Sequence, residues 1–483
     1  MVCEKLPQLG SGNQGLEYLF HPRSIAVVGV SQDDTNWGRM FLLPLIQFQY
    51  QGNLYPVGLQ DGEIAGMKIY RSILDIPGPL DYVICCIPAQ FTPQLVEDCV
   101  KKKVRAVQFF TSGFSESGEE NGKELEQRLV DIARCGSVRI IGPNSLGIYC
   151  PSQGLTFLNT APSLAKSGKV GFLFQSGGNS RELIEIGSTR GIYFSKGVSY
   201  GNACDLNESD FLEYLAWDKE TEIIGIYIEG VKEGQRFFKA LKGVAKIKPT
   251  IMLKGGRTQA GSQAAASHTG SLAGTMFVWE AVCQQTGAIL VDDLDEMMDL
   301  MLAFSYLEPP SGRRVSIIGN SGGRTVQSAD VCESAGLSVP SFSAAIRDTL
   351  REFIPETGAS IRNPVDSYFL GWTPLLLSRT LGVLGSYDGI DLLIIDIPVT
   401  ISLLGFGGHD DVRAQVETIK DFKTKCHKPV VAVVSYEGTP DILQFGFELQ
   451  RAFIAGGIPV YYSMTRAARA LSRFISYYKK DPS

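Results

Sequence analysis

Histidine is scarce in this chain, with four among 483 residues. Cysteine is not scarce, at ten, but no two are spaced Cys-x-x-Cys, which excludes a zinc ribbon or a thioredoxin-type redox pair. The expectation is mostly buried, reduced thiols, the adjacent Cys85 and Cys86 included, and no metal site. No uninterrupted apolar run approaches the roughly 18 residues that suggest a membrane span, and the first twenty residues lack the basic start and apolar centre of a signal peptide. A cytoplasmic protein without membrane contact is expected. Positive charge is not in excess either: 45 Lys and Arg face 51 Asp and Glu, for a net charge of −6. A surface that neutralises a nucleic-acid backbone needs the opposite balance, so no nucleic-acid partner is expected and Lys101-Lys102-Lys103 reads as a solvated helix end. The first strand is not followed by G-x-G-x-x-G, and the second ends in Gly58 and Leu59, where an NAD domain carries an acid for the ribose. NAD is disfavoured.

What is present is a globular composition, 44% apolar and 20% charged, in a chain long enough for roughly two to four domains. Short β-branched runs alternate with amphipathic segments of helical period, the signature of parallel α/β domains. Three blocks emerge. Residues 1–150 hold the runs at 24–30, 53–57, 81–89, 104–110 and 138–142, and a Pro, Ser and Gly-rich loop follows. Residues 151–308 run from "KVGFLFQSGG" to the acidic helix "DDLDEMMDLMLAF", and "LEPPSGRR" links them to residues 309–483, which open with "RVSIIGNSGG". Blocks two and three both begin strand, Ser-Gly-Gly, helix, and read as two copies of a flavodoxin-like unit.

The chemistry is expected at strand ends. In "GVSQDDTNWGR", Gly29 and Gly38 bracket a loop holding Ser31 and Arg39. Such a loop gathers free N–H groups for a phosphate, or its glycines only shape a turn. Three further strand ends would line the same carboxyl-edge crevice: Ile87-Pro88-Ala89, Thr111-Ser112-Gly113 and the segment holding Asn144. A mononucleotide-type fold without a ribose acid points to a nucleotide-like ligand other than NAD. In the second block Gln175-Ser176-Gly177-Gly178 ends a strand and opens a helix. Its small residues leave first-turn N–H groups for a phosphate or carboxylate, or Ser176 or Asn179 is an ordinary cap.

His268 lies in "AAASHTGSLAGT", where Leu272 is the one larger neighbour. Small residues let another group approach the imidazole closely, which favours a nucleophile over an inert surface histidine. A nucleophilic ring needs one nitrogen held by an acceptor. Glu229, after the apolar strand "IIGIYI", is the candidate, with an N-capping role as its rival.

Taken together, "HPRSIAVVGVS", "IIGPNSLGI", "QSGG", "YIEG", "LKGGRTQAGSQAAASHTGSLAGT", "NPVD" and "AARAL" resemble the α subunit, or α-type half, of the ADP-forming acyl-CoA synthetases, relatives of succinyl-CoA synthetase. The likeness spans nearly the whole chain. It implies a Rossmann-like CoA-binding domain followed by two flavodoxin-like ligase domains. It also implies His268 as the phosphohistidine, Glu229 as its orienting carboxylate, and CoA as substrate. The implied reaction interconverts acyl-CoA, phosphate and ADP with the free acid, CoA and ATP through an acyl phosphate. An ATP-grasp portion is not found, so ADP/ATP and Mg are expected on a separate β subunit. "QSGGNS", "YPVGL" and "GNSGGRT" depart from the common pattern, the last introducing Arg324 into a loop able to face the active site, and these leave the acyl group open. A non-catalytic CoA-binding or scaffold protein of the same fold, and an NAD-linked reductase, are the other readings. Retention of His268 and Glu229 speaks against the first and the missing ribose acid against the second.

Overall fold

The structure is a computed structural model and describes residues 13–158, 166–263, 275–319, 321–355, 359–371, 373–436 and 438–479. His268 lies outside the described residues. The chain divides into two compact units, residues 1–297 and 298–483.

The first unit holds two sheets. In the first, β1 (Ser24–Val28), β2 (Asn53–Val57), β3 (Tyr82–Cys85), β4 (Ala106–Phe109) and β5 (Arg139–Ile141) are all parallel, in the order β2-β1-β3-β4-β5. Every residue of β1, β3 and β4 is buried, as strands covered on both faces require. The covering helices include α1 (Trp37–Gln47), α2 (Thr92–Lys102) and α3 (Glu120–Cys135). The second sheet contains β6 (Gly147–Tyr149), β7 (Ser167–Phe174), β8 (Phe194–Ser199), β9 (Ile223–Ile228), β10 (Thr250–Lys254) and β11 (Ile289–Val291), ordered β11-β10-β9-β7-β8-β6. All are parallel except the edge strand β6. Its helices are α4 (Gly177–Thr189), α5 (Glu208–Trp217), α6 (Gly234–Ala245) and α7 (Met276–Thr286).

Polar ties bind the two sheets of this unit. Arg139 at the start of β5 grips Asp205 with two hydrogen bonds of 2.8 and 3.1 Å. The Asn202 amide donates to Glu126 at 3.0 Å and also reaches Glu116. Only residues 142–146 separate β5 of the first sheet from β6 of the second.

The second unit is built on one sheet of β12 (Val315–Gly319), β13 (Ala359–Ser360), β14 (Val365–Ser367), β15 (Leu392–Val399), β16 (Val430–Tyr436) and β17 (Val460–Tyr461). The order is β13-β14-β12-β15-β16-β17, with β13 alone antiparallel. Reversed, it reproduces the second sheet position by position, down to the antiparallel edge strand. Both have the flavodoxin-like arrangement, in which the chain leaves the first parallel strand in one direction and later crosses to its other side. Helix α8 (Gly322–Ser334) follows β12 as α4 follows β7. Ile, Leu and Val of β12, β15 and β16 fill its core. The fold is thus mixed α/β, a Rossmann-like domain followed by two flavodoxin-like ones.

Among the described residues no cysteine is in a disulfide, and Cys85, Cys99, Cys150, Cys283 and Cys332 are buried. No described helix is long and apolar enough to cross a membrane.

Candidate functional site

Open parallel sheets bind ligands beyond the carboxyl ends of their strands. At that edge of the first sheet the backbone segments are pressed together. A Cβ on Gly38 would lie 2.6 Å from the Gly29 carbonyl, and one on Gly29, whose φ is +99°, 2.8 Å from the Cys86 carbonyl oxygen. Both positions therefore exclude a side chain. Asn36 fixes the loop between them: its Oδ1 accepts from the Ser31 N–H at 3.1 Å and from the Arg39 N–H at 2.9 Å, capping α1. Thr111 donates to the Ile87 carbonyl at 2.7 Å and its own carbonyl accepts from Asn144 N–H at 2.9 Å. Gly113 N–H is held by Glu116 at 2.6 Å, and a Cβ on Gly113 would lie 3.7 Å from that of Ala89. Gly29, Ser31, Gly38, Ile87, Pro88, Ala89, Thr111, Ser112, Gly113 and Asn144 thus share one edge. Arg39 reaches sideways to Asp34, 3.0 Å away. Asn36 escaped the sequence reading, although an Asn just before Trp-Gly-Arg is an N-cap signal.

The second sheet carries the ionisable groups. Ser176 caps α4, its hydroxyl accepting from the Asn179 N–H at 3.3 Å. The N–H groups of Gly177 and Gly178 belong to the first turn, outside the helix's own ladder, and stand at the positive end of its dipole. Gln175 Oε1 accepts from the N–H of Glu229 at 2.7 Å and of Gly230 at 3.3 Å, strapping the end of β9 to the end of β7. The capping and anion-site readings of this segment are compatible, since the cap uses only the third N–H.

Glu229 is buried, 6% exposed, and its Oε1 accepts from the Tyr227 hydroxyl at 3.1 Å. It precedes α6 by several residues and makes no side-chain cap there, since Glu233 occupies that helix's N-cap position. Burial and then the Glu229 charge push the Tyr227 phenol far up, while a hydrogen bond with Asn179 acts the other way. Tyr227 is thereby a neutral donor to Glu229. Lys254, the last residue of β10, is 1% exposed. Burial pulls its ammonium down and the Glu229 charge pulls it back up. Neither Tyr227 nor Lys254 was singled out from sequence, where each closes an apolar strand.

Among the described residues no three His, Cys, Asp or Glu side chains are grouped so as to hold a metal ion.

The chain is similar in sequence and fold to known proteins. Residues 23–151 fit the family model of a CoA binding domain, and residues 167–304 that of a succinyl-CoA ligase like flavodoxin domain. The α subunit of acetate–CoA ligase [ADP-forming] II of Pyrococcus furiosus is 41% identical over 86% of this chain and 89% of its own length. Acetate–CoA ligase [ADP-forming] I of Archaeoglobus fulgidus is 34% identical over 96% of this chain, which spans 64% of that longer protein. Among solved structures, acetyl-coenzyme A synthetase 1 of Candidatus Korarchaeum cryptofilum, in complex with phosphate and ADP, superposes with a TM-score of 0.82. It is 30% identical and covers 96% of this chain and 97% of its own.

Proposed function

Since the chain belongs to the ADP-forming acyl-CoA ligases, as one of their α-type chains, we propose that it interconverts acyl-CoA, phosphate and ADP with a carboxylic acid, CoA and ATP. The observation that carries this reading to particular residues is the buried Glu229 strapped by Gln175 to the start of α4.

Each step has a group suited to it. CoA lies along the first sheet's carboxyl edge, its phosphates on backbone N–H groups of the Gly29–Arg39 loop and its body against Ile87-Pro88-Ala89, Thr111-Ser112-Gly113 and Asn144. Inorganic phosphate sits at Gln175, Ser176, Gly177 and Gly178, where the helix dipole favours an anion. A phosphate oxygen attacks the thioester carbonyl carbon, the C–S bond breaks, and CoA leaves as the thiolate. The imidazole of His268 then attacks the phosphorus of the acyl phosphate, and the carboxylate departs. Glu229 accepts from the other ring nitrogen, fixing the tautomer and stabilising the positive ring. Positioning and charge, not covalent help from further side chains, are what such a transfer requires.

The phosphoryl group passes next to ADP. The nucleotide and its Mg²⁺ are assigned to an ATP-grasp partner chain, with which this chain forms a hetero-oligomer in the cytoplasm. The reading of residues 1–150, 151–308 and 309–483 as one CoA-binding and two ligase domains goes with this proposal.

The test is a phosphoenzyme assay with labelled phosphate and a panel of acetyl-, propionyl-, 4-hydroxybutyryl- and feruloyl-CoA. The full chain is expected to take up an acid-labile, base-stable label at about one per site at most. His268→Asn should abolish it, and Glu229→Gln should slow it by about a hundredfold without erasing it. Full labelling of the His268→Asn protein would sink the assignment.

A further inference from the structure

Lys254 plays no part in the steps above, yet its setting is expensive. Its ammonium donates to the Gly255 carbonyl and stands 5.5 Å from the centroid of the Trp279 ring. Among the described residues no carboxylate comes within ion-pair distance of it. A carbonyl and a ring face recover only part of the cost of burying an ammonium. The negative charge that bears on it is that of Glu229.

Gly255 is where the two groups meet. Its N–H donates to the Ile228 carbonyl at 2.9 Å, locking the ends of β9 and β10 together. A Cβ on it would lie 3.2 Å from Glu229 Cγ and 2.4 Å from the Tyr227 hydroxyl. The residue whose carbonyl holds Lys254 is thus the floor on which Glu229 rests.

The second unit supplies an internal control. Aligning Ser176 with Ser321 pairs Leu173 with Ile318, and their strand neighbours then match in register. Ile226 corresponds to Ile395, and Ile228 to Ile397. The residue following Ile397 is Pro398, in the place of Glu229. Lys254, opposite Ile228, corresponds to Val434, opposite Ile397. Where the same fold has no carboxylate it has no ammonium either, so the lysine is not a requirement of the sheet.

We propose that Lys254 is a positioning residue for Glu229, supplying the positive charge that keeps this carboxylate aimed for its work on the imidazole. The proposal rests on the reading of Glu229 as the orienting carboxylate. Among the described residues Tyr227 and Tyr200 also lie under the Glu229 charge, and burial holds both as neutral phenols, so neither supplies a positive charge there.

The experiment is the labelling assay on the full chain, with wild type, Lys254→Met, Lys254→Gln, Lys254→Arg, Glu229→Gln and the double variant Lys254→Met/Glu229→Gln. Both neutral replacements should slow phosphoenzyme formation ten- to a hundredfold, with half-saturation by acyl-CoA unchanged within about twofold. Lys254→Arg should recover most of the rate. In the Glu229→Gln background, Lys254→Met should cost almost nothing further, because a residue acting through Glu229 has nothing left to act on. Lys254→Gln keeps a donor for the Gly255 carbonyl, so it serves if the methionine variant does not fold. Labelling of the glutamine variant at the wild-type rate, or an undiminished loss in the Glu229→Gln background, would overturn the proposal while leaving the ligase reading intact. A wild-type chain that takes no label with any acyl-CoA of the panel overturns both.

Discussion

Ser176-Gly177-Gly178 and Ser321-Gly322-Gly323 each follow the first parallel strand of a flavodoxin-like sheet and each open a helix of 13 residues. Around these matching starts the polar groups are of opposite kinds. In the first unit Asn179 is hydrogen-bonded to Tyr227, which donates to the buried Glu229. At the corresponding positions of the second unit stand Arg324 and Asp396. The guanidinium holds the carboxylate at 2.5 and 2.8 Å and spends a third hydrogen bond, 2.8 Å, on Ser435, the counterpart of Gly255. At the first start the carboxylate accepts from a neutral phenol, which suits the role proposed for it beside an imidazole. The other has its charges already matched within the fold. A single backbone plan serves both, and a few residues at strand ends and helix starts make the difference between them.

The sharpest way to break the contrast is to give the first start the second one's arginine. In Asn179→Arg the guanidinium is expected to pair with Glu229 as Arg324 does with Asp396. Phosphoenzyme formation should fall on the order of a thousandfold, about 4 kcal/mol of transition-state stabilisation, in a chain whose circular dichroism is unchanged. A variant that labels normally would show that the two starts are interchangeable.

Next in size is a carboxyl of the first unit with no cation in ion-pair contact among the described residues. Glu208, 2% exposed at the start of α5, has an oxygen, Oε1, with no hydrogen-bond partner among the described residues. Burial is the main cause that pushes it up to about 7 from 4.5. The charges of Asp210 and Glu233 add to this, and a hydrogen bond from its own N–H and the charge of Lys232 oppose it. Below pH 4.5 the group is protonated in folded and unfolded chains alike. As pH rises from 4.5 to about 7 the unfolded chain gives up the proton that the folded one keeps, so stability falls. Above 7 the whole difference, about 3 kcal/mol, has been lost. Glu208→Gln should therefore gain stability over wild type between pH 5 and 8, by up to about 3 kcal/mol in urea titrations at the two pH values. An identical difference at both would refute the burial argument.

The smallest effect is expected where charges are already matched. Asp396→Ala strands the Arg324 guanidinium, and because that side chain is 34% exposed water takes up part of the loss. Destabilisation of the second unit by about 2 kcal/mol is expected, below the usual range for a wholly buried pair. Replacing both partners with apolar residues should restore most of it. Urea unfolding of the three variants decides.

Much of this was legible in the sequence. The β-branched runs located every strand of the first sheet, and the runs at 24–30, 81–89 and 104–110 overshoot β1, β3 and β4 because the apolar pattern continues into residues that lie outside the strands themselves. Gln175 and Glu229 were readable as strand-end polar groups. The pairing of Asn179 with Tyr227, or of Arg324 with Asp396, was not, because it depends on which strands lie side by side and in what register. The edge strand Gly147–Tyr149 was hidden too, since three residues starting with glycine carry no alternation to read, and the segment "GPNSLG" passes for a loop.

That short strand has a mechanical meaning. Leu146, just before it, gives its carbonyl to Gln108 of the first sheet at 2.7 Å, and its side chain lies against the backbone of Gly177, where a Cβ would sit 2.9 Å from Leu146 Cγ. One residue therefore bears on β4 of the first sheet and on the first turn of α4 together. The connection works as a strut, not a hinge. If thioester and phosphate are held at its two ends, the spacing between them is a machined tolerance of the folded unit, set before either reactant arrives, and shortening or lengthening residues 142–146 by one would detune it without touching a single reacting group.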